Sequence, residues 1–212
     1  LREGEVLTAE RVQHVNRIKG LLFAQGIGDY EPLHRNRREG LEELITGDGR
    51  PLPECLKAQI SRELDRLELL IEQVKAVEAE RDAVLAQAQA SPGVPAPAAL
   101  LLALRGIGPE AAATLWTEGL FRTFSNRKQV AAYAGLAPTP WQSGSVHQDQ
   151  GVSKVGNPRL RTIMIQIAWL WLRHQPQSAL TLWYRARIKR TGGRLGKTMI
   201  IALARKLLVA LW

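Results

Sequence analysis

Reactive side chains at workable spacing are few in this chain of 212 residues. Gly192-Gly193-Arg194-Leu195-Gly196-Lys197-Thr198 ends like a phosphate-binding P-loop, but that loop needs a glycine with four residues between it and Gly196, and Thr191 stands there. No strand pattern precedes it, so an NTPase is not expected. Ser143 and His147 share a polar Gly/Pro stretch for which no buried carboxylate partner can be named, so a hydrolytic triad is unsupported. Two-metal phosphoryl transfer needs several convergent carboxylates, and residues 91–212 contain only Glu110, Glu118 and Asp149. Acids abound in residues 1–90, yet they sit at helical surface spacing and read as a solvated face. The single cysteine, Cys55, excludes an internal disulfide and a thiolate metal cluster. No metal site is expected in this chain. What remains is a module that binds without reacting, borrows a metal, or uses a covalent side-chain nucleophile.

The cations are more informative. Residues 1–90 carry 13 Lys and Arg against 17 Asp and Glu, whereas residues 91–212 carry 16 against 3, a net +13 confined to the second part. Such a one-signed module suits a polyphosphate backbone, where counterion release drives binding. Arg105-Gly106-Ile107-Gly108-Pro109 lies between two apolar helical patterns and reads as a helix-hairpin-helix. Glycines there permit close backbone approach, and Pro109 suits the first position of a helix whose free amides can meet an anion.

Positioning these groups requires helices. Val12, Val15, Ile18, Leu22 and Phe23 recur at spacings of three and four, predicting a helix over 7–23 that stops at Gly26-Ile27-Gly28. A short helix is expected over 40–45, followed by a turn at 46–51. Ile60, Leu64, Leu67, Ile71 and Val74 form a coiled-coil seam about three heptads long, before Glu78 and Arg81 occupy its positions. That seam fits an antiparallel pair with the first helix or a short dimer contact. Residues 122–134 read as a helix capped by Ser125 or Asn126, and 135–145 as a long polar loop. Asn157-Pro158 opens a helix over 159–174 with Ile163, Ile167, Leu170 and Trp171 on its apolar face. Trp169 and Trp171, within an apolar run, read as core rather than as base-stacking platforms. Arg159 and Arg161 fall in its first turn, where the helix dipole disfavours cations, which hints at an external anion. A basic run over 185–197 precedes a final amphipathic helix over 197–212. Because Arg205 and Lys206 interrupt its apolar face, no membrane span is expected.

Several spaced motifs in order resemble one family. Gly106-Ile107-Gly108-Pro109, Phe124-Ser125, Ala131-Ala132-Tyr133-Ala134-Gly135-Leu136-Ala137-Pro138, Gln142-Ser143-Gly144, Gly151-Val152-Ser153-Lys154-Val155-Gly156-Asn157, Leu160-Arg161 and Ala204-Arg205-Lys206-Leu207-Leu208 together closely resemble the C-terminal domain of the IS110/IS116/IS902 transposases. The resemblance covers about residues 98–212. Arg11-Val12-Gln13-His14-Val15-Asn16-Arg17-Ile18-Lys19-Gly20-Leu21-Leu22 is similar to the helical coiled-coil region that follows the family's catalytic N-terminal domain.

The resemblance implies a DNA recombinase in two parts. One is a RuvC-like N-terminal domain with a four-acid metal cluster, expected to bind Mg2+. The other is this C-terminal domain, which supplies a serine. No residue here corresponds to the first part, so the chain is expected to be a fragment that is inactive alone. The serine of the Gln-Ser-Gly loop falls at Ser143, with Ser145 and Ser153 as rivals. It would attack a backbone phosphorus and form a phosphoserine link. Lys154, Arg159 and Arg161 would hold phosphates near it. Arg185, Arg187, Lys189, Arg190 and Arg194 would extend the groove, and Gly106 and Gly108 would complete the nucleic-acid contacts. Such contacts position a backbone without reading its sequence. A structured noncoding guide RNA is a further implied partner, together with a homo-oligomeric state and a cytoplasmic, nucleoid-associated location. The expected architecture is all-α. It comprises a coiled-coil-forming dimerisation region (1–90), a Pro/Ala linker (91–97) and a basic transposase domain (98–212). The alternative function is a non-catalytic DNA- or RNA-binding module.

Overall fold

The computed structural model describes residues 2–90, 97–143, 146–190, 192 and 195–212, and the chain divides into two compact units, Leu1–Glu80 and Arg81–Trp212. Of the expected linker, 91–96 lies outside the described residues, and Pro97 already begins a helix. Among the described residues no helix is long and apolar enough to cross a membrane.

In the first unit α1 (Arg2–Phe23) pairs with α3 (Glu54–Ala90), and α2 (Arg37–Glu42) reaches α3 through Arg37 and Arg38, which pair with Glu68. The pair is antiparallel: His14 meets Glu63, whereas a Cβ at Gly4 would touch Val77 far along α3. Ile60, Leu64 and Leu67 of the seam are fully buried with Ile18 and Leu22 of α1 and with Ile27, Leu41 and Leu52 from the intervening segment. The seam is thus covered by its own chain, each such side chain contributing about 1.5 to 3 kcal/mol on burial. Beside it, Glu63 accepts from His14 at 2.6 Å and from Arg17 at 3.2 Å, and pairs with Arg66 at 2.7 Å. Burial pushes the Glu63 carboxyl up, but the His14 and Arg17 hydrogen bonds outweigh it and hold the group below the usual carboxylate range. Arg38 bridges Asp65 and Glu68, each at 2.6 Å, and likewise holds Glu68 low.

The second unit is built on α7 (Pro158–His174) packed against α9 (Gly196–Leu211). Met164, Ile167 and Ala168 of α7 and Leu203, Ala204 and Leu207 of α9 recur at helical spacing, which gives each helix one continuous apolar stripe. Around them lie α4 (Pro97–Leu102), α5 (Pro109–Leu115) running into a π-helical turn (Trp116–Leu120), α6 (Arg127–Tyr133) and α8 (Ala179–Arg190). Asn126 is the cap of α6, its side chain accepting from the amides of Lys128 and Gln129. The apolar face of α7 is rotated from the expected one. Leu160 and Met164 are buried on it, whereas Leu170 and Trp169 are 39% and 53% exposed. Trp171 is half-buried and donates its indole N–H to Ser178.

One element corrects the all-α expectation. The segment read as a polar loop forms an antiparallel hairpin, β1 (Pro138–Ser143) with β2 (Val146–Val152). Gln142 faces His147 and Ser143 faces Val146, with the register slipping by one residue at Gly151. Among the described residues the fold is therefore mostly helical with one two-stranded ribbon. Such a ribbon has only edges, so the prolines at 138 and 140 are tolerated.

Candidate nucleic-acid interface

The hairpin is fastened at its root. Asn157 N donates to Tyr133 O at 2.7 Å and Ser153 N to Ala137 O at 3.0 Å, so the legs leave α6 and enter α7 across two backbone bonds. This closure needs glycine at 156. Its φ is +130°, and a Cβ there would lie 2.5 Å from Tyr133 O and 2.8 Å from Ala132 O. Lys154, with φ +48°, makes the turn between β2 and α7 and is exposed. Its carbonyl accepts from Arg161 Nη1 at 2.7 Å, and that guanidinium fills the space beside Gly135.

A buried acid holds the neighbouring cap. Glu118, in the π-helical turn, is ion-paired with Arg159 and accepts from Asn157 Nδ2 at 2.7 Å. Asn157 Oδ1 in turn accepts from the amides of Arg159 and Leu160 and caps α7. The anion that a cation in the first turn of α7 called for is thus, for Arg159, internal. Arg159 supports the hairpin root, and its side chain is only 16% exposed.

The other predicted positions are distributed as follows. Ser143 ends β1 at the far end of the hairpin; its backbone pairs with Val146, and its side chain lies outside what the structure describes. Its rival Ser145, and Arg194, lie outside the described residues. Ser153 is at the root, where its amide serves the closure. Arg185, Arg187, Lys189 and Arg190 are all exposed on α8, whose Thr181, Tyr184 and Ile188 are turned inward. At 3.6 residues per turn they spread over about 200° of that helix, to both sides of the inward stripe. Gly106, with φ +98°, sits in the turn between α4 and α5, where a Cβ would lie 3.5 Å from the Leu170 carbonyl. Ile107 beside it is buried, and Arg105 O accepts from Gln175. The turn is therefore seated on the C-terminal end of α7, a packing reason for its glycine. Gly108 is exposed and is the N-cap of α5.

The structure also gathers cations that spacing alone did not group. An open groove of about 700 Å3 runs between the hairpin root, α6, α8 and α9, lined by Arg127, Lys128, Arg205 and Lys206. Lys206 Nζ stands 4.8 Å over the Trp183 ring. Two signals were available in the sequence: paired cations opening α6, where the dipole disfavours them, and Arg205-Lys206 interrupting an apolar helix.

Residues 98–184 match the Transposase IS116/IS110/IS902 family. Protein y4rJ of Sinorhizobium fredii, named as a transposase, is 69% identical over 218 residues, covering 100% of this chain and 55% of its own length. The transposase for insertion sequence element IS1111A of Coxiella burnetii is 28% identical over 97% of this chain and 54% of its own. The transposase for IS1328 of Yersinia enterocolitica is 26% identical over 100% of this chain and 60% of its own. The chain spans a little over half the length of these curated relatives.

Proposed function

Because the chain belongs to the IS110/IS116/IS902 transposase family, we propose that its second unit grips DNA and presents Ser143 to a backbone phosphate as the nucleophile of strand exchange. The observation that carries the reading is the hairpin itself. Ser143 ends a ribbon whose two legs are locked to the helical core through Tyr133, Ala137, Ser153 and Asn157, and the unit around it is rich in cations and poor in acids. A nucleophile on a fixed support reaches phosphorus with less orientational entropy to lose. In the step, the Ser143 oxygen forms a bond to phosphorus, one phosphorus–oxygen ester bond to a deoxyribose breaks, and the released sugar hydroxyl takes the serine proton. The ester link retains the energy needed for rejoining.

Exposed Lys154, together with Arg185, Arg187, Lys189 and Arg190, supplies phosphate contacts, while Arg159 acts indirectly by holding the hairpin root. A guide RNA and a second copy of the chain belong to the same proposal as further partners. The family resemblance also implies Mg2+. Among the described residues no three His, Cys, Asp or Glu side chains come together to hold a metal, and Glu118 is engaged by Arg159 and Asn157. These residues do not fit the ion, which the resemblance assigns to the family's N-terminal domain.

The test is Ser143→Ala in a protein of the relatives' full length, incubated with labelled substrate DNA. The wild type is expected to give an SDS-resistant protein–DNA adduct, and the variant to bind DNA equally but form none. An adduct that survives the substitution moves the role to another serine. Salt-sensitive binding with no adduct in the wild type leaves a binding module alone.

A further inference from the structure

The groove beside the hairpin root has two kinds of lining. Its cations come from two separate helices, Arg127 and Lys128 from α6 and Arg205 and Lys206 from α9, and among the described residues no Asp or Glu lines it. Its floor is apolar, made chiefly by Leu180, Trp183, Ile201 and Val209. Pro138 and Val152, the two ends of the hairpin's legs, form one wall. Ser143 therefore lies five residues beyond the groove along β1, about 16 Å of extended strand.

A duplex offers phosphates but keeps its base faces stacked inside, so it satisfies the cations and leaves the floor uncovered. An unpaired strand satisfies both, its backbone meeting cations while its base faces lie on apolar and aromatic side chains. Lys206 is already poised over Trp183, which adds a cation beside an aromatic surface of the kind such strands use. We infer that this groove is a seat for single-stranded nucleic acid, separate from the outer face of α8, and that it leads a displaced strand toward the hairpin. The inference rests on the proposed DNA-directed role and assigns a different set of residues to one strand form.

The experiment uses the 212-residue chain, fluorescein-labelled oligo(dT), the same oligonucleotide paired with oligo(dA), and anisotropy titrations across a salt series. Arg127→Gln/Lys128→Gln and Arg205→Gln/Lys206→Gln are compared with Arg185→Gln/Lys189→Gln on α8, with circular dichroism confirming that each stays folded. Either groove variant is expected to weaken oligo(dT) binding at least tenfold and to flatten its log-affinity against log-salt slope by about 1.4, two phosphate contacts at roughly 0.7 each. Duplex affinity should change less than twofold in the groove variants and fall in the α8 variant. Because the two groove pairs lie on different helices, a folding defect in one does not remove the test. Equal losses for single strand and duplex overturn the inference, as does no loss for either. Inorganic polyphosphate competing as well as oligo(dT) also overturns it, since the floor would then contribute nothing. If a second copy's acidic helix fills the groove, the variants lose self-association in sedimentation and keep oligo(dT) affinity, again against the inference. A wild-type chain that binds neither strand form refutes the DNA-directed role as well, so the two failures are distinguishable.

Discussion

Gly156→Ala probes the joint on which the functional reading stands. The added Cβ would meet Tyr133 O at 2.5 Å, Ala132 O at 2.8 Å and Gly135 N at 2.8 Å, whereas ordinary contact begins at 3.4 Å. All three are backbone atoms, so relief requires moving the chain by nearly 1 Å. Holding alanine near φ +130° costs about 1 to 3 kcal/mol by itself. The displacement also breaks the Asn157 N to Tyr133 O bond, worth about 1 kcal/mol, and disturbs the Asn157 cap of α7, worth about 1 kcal/mol more. The expected loss is about 3 to 5 kcal/mol, which for a unit of this size lowers Tm by roughly 10 to 20 °C. All six tryptophans lie beyond residue 115, so tryptophan fluorescence during heating follows the second unit. Gly151→Ala is the matched control, because a Cβ there meets nothing within 4 Å. Equal behaviour of the two variants, or a Tm shift under about 3 °C for Gly156→Ala, refutes the account of the hairpin root.

Two further outcomes follow from the ion pairs. Glu118→Gln leaves Arg159 with a neutral partner in a largely buried place and is expected to destabilise the second unit by about 2 to 3 kcal/mol in urea titrations, below the value for a fully buried pair because Arg159 keeps some exposure. Recovery in Glu118→Met/Arg159→Leu supports the uncompensated charge as the cause, and a single variant as stable as the wild type contradicts it. In the first unit, Glu63 and Glu68 are held below the usual carboxylate range, so the unfolded chain binds protons first as pH falls. Their stabilisation is full at neutral pH, declines below the usual carboxylate values and is gone below the depressed ones. Circular dichroism in urea should show this acid loss without a matching tryptophan signal, and Glu63→Gln should flatten it; an unchanged pH slope argues against the His14 and Arg17 bonds as its source.

Much of the helical frame was legible in the sequence. Three-and-four spacing marked α1, the seam on α3, and α7 and α9, and Asn126 and Asn157 announced the starts of α6 and α7 through side chains that can accept from orphan amides. The hairpin was not read, because Pro138 and Pro140 argue against a strand and His147 to Gln150 lack apolar alternation. The available clue was the sequence pair Gly144-Ser145, of a kind common in two-residue hairpin turns, between segments of six and seven residues. Helix α8 was hidden for a related reason: only its basic end stood out, and its inward stripe is short and carries Thr181.

Composition and periodicity alone established a basic, acid-poor module and a helical frame, since charge, periodicity and capping are local or additive properties of the chain, and spaced motifs added only a resemblance to one family. Which cation faces solvent and which is consumed internally is neither. Arg159 and Arg161 share the same turn of α7, yet one is held by Glu118 forty-one residues earlier and the other by the Lys154 carbonyl. Likewise Arg127 and Lys128 come to line the same groove as Arg205 and Lys206 only after α6 and α9 pack together. Those outcomes depend on contacts between residues distant in the chain, which only the tertiary structure decides.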